Sequence, residues 1–448
     1  MAVSGHWRSR YGFIMAATGF AVGLGNIWRF PYLTGENGGG AFVLVYIACA
    51  LFIAVPILIA EIVIGRQGGG SPPVAMAKLA RDHSRAPAWT GVGYLNLAAA
   101  SLICFLYSVI TGWVLSYLWK SVTSGFAGFG AAAADAEFSW LLADPLRLLG
   151  WSTLALGFSL AVIAFGVQQG IERTARILMP ALFLLLLSLV AYNVFEGGGM
   201  AAALAYLFTP DFSRIDGSVI LAAIGQAFFS IGVAMGGMMT FGAYLPKDIP
   251  VVTCAIMIAV VDTSVAILAG LVVFPMVFAN GLDPAGGAGL VFETLTVAFA
   301  QMPAGDGVAA LFFLLLAFAA ITSLVGLLEA QVAWVMDRFA LSRLGAVLAV
   351  GLFVFGGTII GSLAYNHWTG YGAFGRSLDG VLDFVPNQIF LPVGGLLIAL
   401  FAGWMLPYGA ASKALMTTER VVNLWRFLIR IVIPPAVASI LIYFIIGG

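Results

Sequence analysis

The sequence predicts an all-α membrane protein of eleven transmembrane helices, ten of them in two blocks of five. Three observations predict it. Of 448 residues, 62% are hydrophobic and only 9% are charged, against roughly 25% charged in a soluble domain. The apolar residues form long continuous runs; a run of about 20 crosses a bilayer as a helix, whereas barrel strands alternate. Two of the runs are also interrupted by glycines at matching places.

In order, the spans cover residues 11–33, 41–65, 90–119, 150–167, 175–195, 219–244, 251–279, 307–336, 343–363, 381–404 and 425–446. The chain divides into an N-terminal segment 1–10, a first block 11–195, a connecting loop 196–218, a second block 219–404, and a loop with the eleventh span, 405–448. Residues 121–148 read as one long Gly- and Ala-rich loop. Residues 281–304 are too polar to span and carry Pro284 and Pro303, so they read as a re-entrant or surface cap. Five is odd, so the second block enters the membrane upside down. Fifteen of the 20 Lys and Arg fall in loops or adjoining span ends on the N-terminal side and four on the other, with Arg29 near a span end. That bias places the N-terminus in the cytoplasm and the C-terminus outside a cell inner (plasma) membrane. The first apolar stretch has no Ala-x-Ala exit and reads as a span.

Composition excludes several classes. The formal net charge is zero, so no basic field attracts nucleic acid. Cys49, Cys104 and Cys254 lie inside apolar runs, and His6, His83 and His367 in separate polar segments. That pattern argues against a disulfide framework or a zinc site. An intramembrane enzyme would need a nucleophile with a base, and neither His nor Cys falls near the polar span residues. A cation channel stays as a less favoured alternative, since the sequence offers neither a repeated filter nor a charged pore ring.

The interruptions carry the functional reading. Span 1 contains Gly19, Gly23 and Gly25 followed by Asn26; span 6 contains Gly232, Gly236 and Gly237. Each is the first span of its block, the pattern of an inverted-repeat transporter. Unwinding a helix in lipid frees carbonyls and amides that must meet something polar. Freed carbonyls suit a hard cation, and half-helix N-termini suit a carboxylate. Asn26, Ser230, Asp262, Thr322 and Ser323 lie at similar depth and offer oxygen alone, which favours Na⁺ over a transition metal. Asp262 stands in an otherwise apolar run, and a carboxylate there is costly enough to be functional. Glu61 and Glu329 also lie deep in spans 2 and 8; Glu61 suits a partner for broken-helix backbone.

The run from Gly19 to Tyr32, followed by Glu36-Asn37-Gly38-Gly39-Gly40-Ala41-Phe42, strongly resembles the neurotransmitter:sodium symporter family. The likeness continues through Tyr107–Trp113, Gly225–Ser230 and Ala319–Ser323 and covers the whole chain, although eukaryotic members have twelve spans. The resemblance implies a LeuT-like 5+5 inverted repeat with helices 1 and 6 broken. It implies symport of Na⁺ with a neutral, hydrophobic amino acid by alternating access, with no other cofactor; another zwitterion such as GABA or taurine is the alternative cargo.

Residue by residue, the resemblance implies one sodium site from the Ala21 carbonyl, Asn26, Ser230, Asp262 and the cargo's carboxylate. A second would use Gly19, Val22 and Ala319 carbonyls with the Thr322 and Ser323 hydroxyls. Cargo would meet the amides of Leu24 and Gly25, the Tyr107 hydroxyl, and carbonyls near Ala21, Phe229 and Ser230. Its side chain would lie among Ile103, Phe229, Gly232, Met235, Ser323 and Leu327. Arg29 and Asp383 match an outer gate, and Asp337 the acid of an inner gate. The Arg that usually faces that acid falls on Ser4, leaving Arg8 or Arg10 as partners, or none. Phe20 is bulkier than the residue usual there and crowds the pocket, while Gly232 enlarges it. Chloride-dependent relatives carry Asn where Asp262 stands and Ser four residues later; here that later residue is Ala266, which implies chloride independence.

Overall fold

Without water to bond to, an apolar chain in a bilayer satisfies its own backbone by helix formation. The computed structural model describes residues 6–285 and 287–446. Among them, nine unbroken helices are long and apolar enough to cross a membrane: Gly40–Gly68, Pro87–Thr123, Pro145–Ala164, Val167–Glu196, Val251–Ala279, Gly305–Phe339, Arg343–Ala364, Leu378–Met405 and Glu419–Ser439. Span 1 is the bent pair Arg10–Ala21 and Gly25–Glu36, which meet at 50°. Span 6 is likewise two short helices, Gly217–Ile231 and Gly237–Ala243. Adding these two gives the eleven spans expected.

Local chemistry sets the ends that matter. Ser9 opens span 1 by accepting from the Gly12 amide at 3.0 Å, and Asp216 opens span 6 by accepting from the Val219 amide at 2.9 Å, both N-caps. The break in span 6 needs left-handed backbone: Gly232 and Gly236 have φ of +72° and +74°, and Ala234 between them +63°. Glycine adopts that region freely and alanine does not. Glu61, buried in span 2, accepts from the Ala234 amide and holds the strained residue.

The block symmetry is visible in length. The third span of each block is the longest, with helices of 34 residues at Thr90–Thr123 and 35 at Gly305–Phe339. These two pack on each other, and span 1 packs on the second of them.

The connections are more ordered than expected. The stretch 121–148 is not one loop: Ala131–Ala143 is a helix, as alanine's high helix propensity favours. The connecting loop 196–218 holds the helix Met200–Phe208. Segment 281–304 is a surface cap, carrying the helix Thr294–Gln301 and burying Phe292 and Phe299 against Tyr117, Phe126 and Phe313. The three cysteines are free and buried.

Candidate functional site

The two breaks face each other at the centre of the molecule, and the polar side chains of spans 1, 2, 6 and 7 converge there. Asn26 Nδ2 donates to Ser230 Oγ at 3.0 Å, to the Asp262 carbonyl at 3.0 Å and to Asp262 Oδ1 at 2.8 Å. Ser230 Oγ donates to Asp262 Oδ2 at 2.7 Å, and the Tyr46 hydroxyl reaches the same oxygen at 3.5 Å. The Gly23 amide donates to Asn26 Oδ1 at 3.1 Å. Asn26, Tyr46, Ser230 and Asp262 are all fully buried. A buried carboxylate needs partners, since its desolvation costs several kcal/mol; here a serine, an asparagine and a tyrosine supply them. Ala21, on the last turn before the break, is buried beside the central cavity.

A second group of oxygens joins spans 1 and 8. The Ser323 hydroxyl lies 3.5, 3.0 and 3.4 Å from the carbonyls of Gly19, Phe20 and Val22. The Thr322 hydroxyl lies 3.1 Å from the Ala319 carbonyl. That bond is local to span 8, so of the residues expected of the second cation site the Ser323 hydroxyl bridges to the Gly19 and Val22 carbonyls while Thr322 packs against Gly19.

Between the groups lies a cavity of about 20 Å³ lined by Phe20, Ala21, Gly23, Gly25, Ile103, Tyr107, Phe229, Gly232, Met235, Ser323 and Leu327. Of the residues expected to touch cargo, Leu24 and Ser230 stand outside that lining. Leu24 faces a larger cavity above it, although its amide donates to the Tyr107 hydroxyl at 3.2 Å. Phe20 lines the cavity, where its bulk is expected to crowd it, and Gly23 lines it without having been among the expected contacts. A side chain at Gly23 would strike Ser323 Oγ, 2.4 Å from an added Cβ, so glycine lets the break in span 1 approach span 8 closely.

The expected gate residues are present but not joined to one another. Arg29 and Asp383 both line the larger cavity, of about 250 Å³, on the face opposite the N-terminus. They form no ion pair: the Arg29 guanidinium lies 4.8 Å over the Phe229 ring with Nη1 buried and unpartnered, and Asp383 Oδ1 accepts from Asn387 Nδ2 at 2.7 Å. At the N-terminal face, Asp337 pairs with neither Arg8 nor Arg10. Its Oδ2 accepts from the Ser71 amide at 2.8 Å, while the Arg8 amide donates to Glu172 and Arg10 faces Met257. Ser4 lies outside the described residues.

The charged closure at that face is one sequence reasoning missed. Buried Glu329 receives Arg343 Nη2 at 2.6 Å and Nη1 at 3.2 Å, and the Tyr244 hydroxyl at 2.7 Å. Trp7 seals the same end, its indole donating to the Phe241 carbonyl at 2.9 Å. The signal available was a glutamate inside span 8 with an arginine at the first residue of span 9.

Two helices broken face to face around buried oxygens, each opening one of two inverted five-helix blocks, define a secondary transporter. The chain belongs to the sodium:neurotransmitter symporter family, whose model matches residues 4–129 and 147–447. It is 33% identical over 439 residues to an uncharacterized sodium-dependent transporter of Bacillus subtilis (strain 168), YhdH, covering 96% of this chain and 95% of that one. An uncharacterized sodium-dependent transporter of Haemophilus influenzae is 31% identical over 446 residues, covering 97% of each. Among solved structures, MhsT in complex with L-phenylalanine matches with a TM-score of 0.90 at 40% identity, over 98% of this chain and 99% of that one. The protein is thus a sodium-dependent, multi-pass membrane symporter with the LeuT-like fold, and not an enzyme.

Proposed function

We propose that the protein imports a neutral, apolar amino acid together with two Na⁺ ions by alternating access, and does so without chloride. The observation that carries the reading is the closed ring of Asn26, Ser230 and Asp262 beside a cavity bounded by both broken backbones. Ser230 and Asp262 offer oxygen, and Asn26, whose Nδ2 faces them here, offers Oδ1 once its amide turns to a cation; oxygen ligands suit Na⁺.

In this reading the first Na⁺ binds the Ala21 carbonyl, Asn26, Ser230, Asp262 and the cargo's carboxylate. Ion and cargo then complete each other's coordination, and linkage makes the gain reciprocal. The second binds Gly19, Val22 and Ala319 carbonyls with the Thr322 and Ser323 hydroxyls. It ties the first half of span 1 to span 8, so its loss releases that half. The cargo carboxylate meets the amides of Leu24 and Gly25 and the Tyr107 hydroxyl, and the amino group meets the Ala21, Phe229 and Ser230 carbonyls. Its side chain lies among Ile103, Gly232, Met235 and Leu327. An amino-acid cargo is supported by the L-phenylalanine complex of MhsT. The excess of Lys and Arg on the N-terminal side supports a cytoplasmic N-terminus and an external C-terminus.

Chloride independence rests on Asp262. The hydroxyls of Ser230 and Tyr46 both turn to its carboxylate, and Ala266 offers an anion no hydroxyl. A chloride beside that fixed charge is repelled.

Uptake into proteoliposomes tests the reading, with the twenty amino acids, GABA and taurine as competitors and gluconate in place of chloride. Wild type is expected to take up apolar amino acids only with Na⁺ and to ignore chloride. Asp262→Asn is expected to lose about a hundredfold in uptake, near 2.7 kcal/mol of coupling. A wild type that stops without chloride would overturn the assignment of Asp262.

A further inference from the structure

Span 10 ends at the N-terminal face in the turn Phe401–Met405, and two arginines of span 11 meet one carbonyl there. Arg426 Nη2 donates to the Gly403 carbonyl at 3.2 Å, and Arg430 Nε donates to the same oxygen. Glycine lets the second stem lie close against span 10, since a Cβ added at Gly403 would stand 2.9 Å from Arg430 Cγ. An aromatic ring backs each guanidinium. Arg426 lies 5.5 Å from the centre of Tyr408, and Arg430 lies 4.9 Å from that of Trp404. A third cation, Arg85 from the loop between spans 2 and 3, donates to the Met405 carbonyl at 3.1 Å.

This cluster has no acid. Among the described residues, none of the three arginines pairs with a carboxylate. The carbonyl end of a helix supplies roughly half a negative charge, which leaves most of the positive charge uncompensated within the chain. Arg426 is 9% exposed, with Nη1 buried and unpartnered. A cation within a membrane span is costly enough to be a functional residue by default.

The surroundings decide which anion reaches the cluster. Trp404 and Tyr408 are 49% and 41% exposed, and Leu424, Phe427 and Ile431 on span 11 also turn outward. Apolar side chains exposed on a span face lipid, and Trp and Tyr settle at the level of the headgroups. Arg430 is half-buried and uses only Nε on the protein, so its two Nη groups stay free for a ligand. A guanidinium edge matches phosphate oxygens in geometry as well as charge, and basic pockets between spans on the cytoplasmic side suit anionic headgroups.

We propose that Arg426 and Arg430, with Trp404 and Tyr408, form a binding site for the phosphodiester headgroup of an anionic phospholipid in the leaflet at the N-terminal face. The phosphate oxygens accept from the Nη groups of Arg430, and buried Arg426 supplies a fixed charge behind it. The acyl chains lie along the exposed apolar face of span 11, and Arg85 adds charge at the same helix end.

The test titrates the whole purified chain with phosphatidylglycerol or phosphatidylcholine and reads bound lipid by native mass spectrometry. Wild type is expected to bind phosphatidylglycerol at least about fivefold more tightly. Arg430→Gln keeps an N–H for the Gly403 carbonyl but removes the charge, so that preference is expected to fall about fivefold. Arg338→Gln, at an exposed arginine of the same face, is expected to keep it within about twofold. Thermal melting reports folding, and Arg85→Gln, expected to lose about threefold, is read instead if Arg430→Gln does not fold. Wild type without the preference overturns the proposal, as does a preference fully retained in the folded variant. Equal losses in that variant and in Arg338→Gln overturn it too, since they mark a diffuse surface field. Inorganic phosphate that displaces phosphatidylglycerol from wild type overturns the lipid assignment in favour of a soluble anion.

Discussion

At the N-terminal face, a buried glutamate, an arginine and a tyrosine from spans 8, 9 and 6 close on one another, with Glu329 wholly excluded from solvent. At the opposite face, Arg29 and Asp383 look across a cavity of about 250 Å³ without meeting, the arginine resting on the Phe229 ring. The two ends of one path are thus held by different physics. A bidentate pair away from water is strong and directional, and breaking one partner strands a charge. A guanidinium over an aromatic face contributes about 0.5–2 kcal/mol and leaves its donors available. The difference teaches which end is tightly sealed in this conformation. Under the proposed alternating access, the seal at the N-terminal face would open as Arg29 and Asp383 close.

The sharpest way to break that asymmetry is Arg343→Ala. It leaves Glu329 buried and unpaired, a cost of about 3–5 kcal/mol. We expect a large fall in melting temperature and new labelling of a cysteine placed below the cavity from the N-terminal side. The paired change Glu329→Gln with Arg343→Gln should recover much of the stability but not the seal's selectivity for one state. Unaltered labelling in Arg343→Ala would show that Trp7 alone closes this end.

Next in size is Ser323→Ala or Thr322→Ala. Each removes one hydroxyl from the oxygen group that joins spans 1 and 8, worth about 1–3 kcal/mol if left uncompensated. Apparent Na⁺ affinity is expected to fall about tenfold or more, with cargo affinity following through linkage. Binding whose sodium dependence is unchanged in both variants would sink the second-site assignment.

Arg29→Ala and Asp383→Ala should have smaller effects on equilibrium binding, about threefold, yet slow uptake more, because closure and not coordination is lost. Equal losses in both assays would make Arg29 a direct ligand. Smallest of all is Asp337→Asn. The side chain accepts one amide, that of Ser71, so about 0.5–1.5 kcal/mol of stability is at stake. Transport by this variant should stay within about threefold of wild type; a severe loss would restore Asp337 to the gate.

Legibility followed range. The eleven spans, the two breaks and the oxygen-bearing residues were readable because each depends on local facts: a continuous apolar run, a glycine cluster, a carboxylate where lipid forbids one. The helix at Ala131–Ala143 escaped because alanine and glycine together carry little amphipathic contrast. The Glu329–Arg343 pair escaped for another reason. Arg343 stands at the first residue of span 9, where a positive charge needs no buried partner, and only the packing of spans 8, 9 and 6 turns it inward to a buried acid.

The sequence by itself determined that the chain lies in a membrane, that it is built from two inverted blocks, and that its polar atoms gather near mid-depth. Hydrophobic transfer and backbone hydrogen bonding leave no other solution for such runs. The tertiary structure alone decided how those atoms pair, which acid closes the N-terminal face, and where the Phe20 ring rests. Those outcomes turn on distances of a few ångströms between residues as far apart as Phe20 and Gly326, and no local rule of propensity or spacing encodes a contact across that separation.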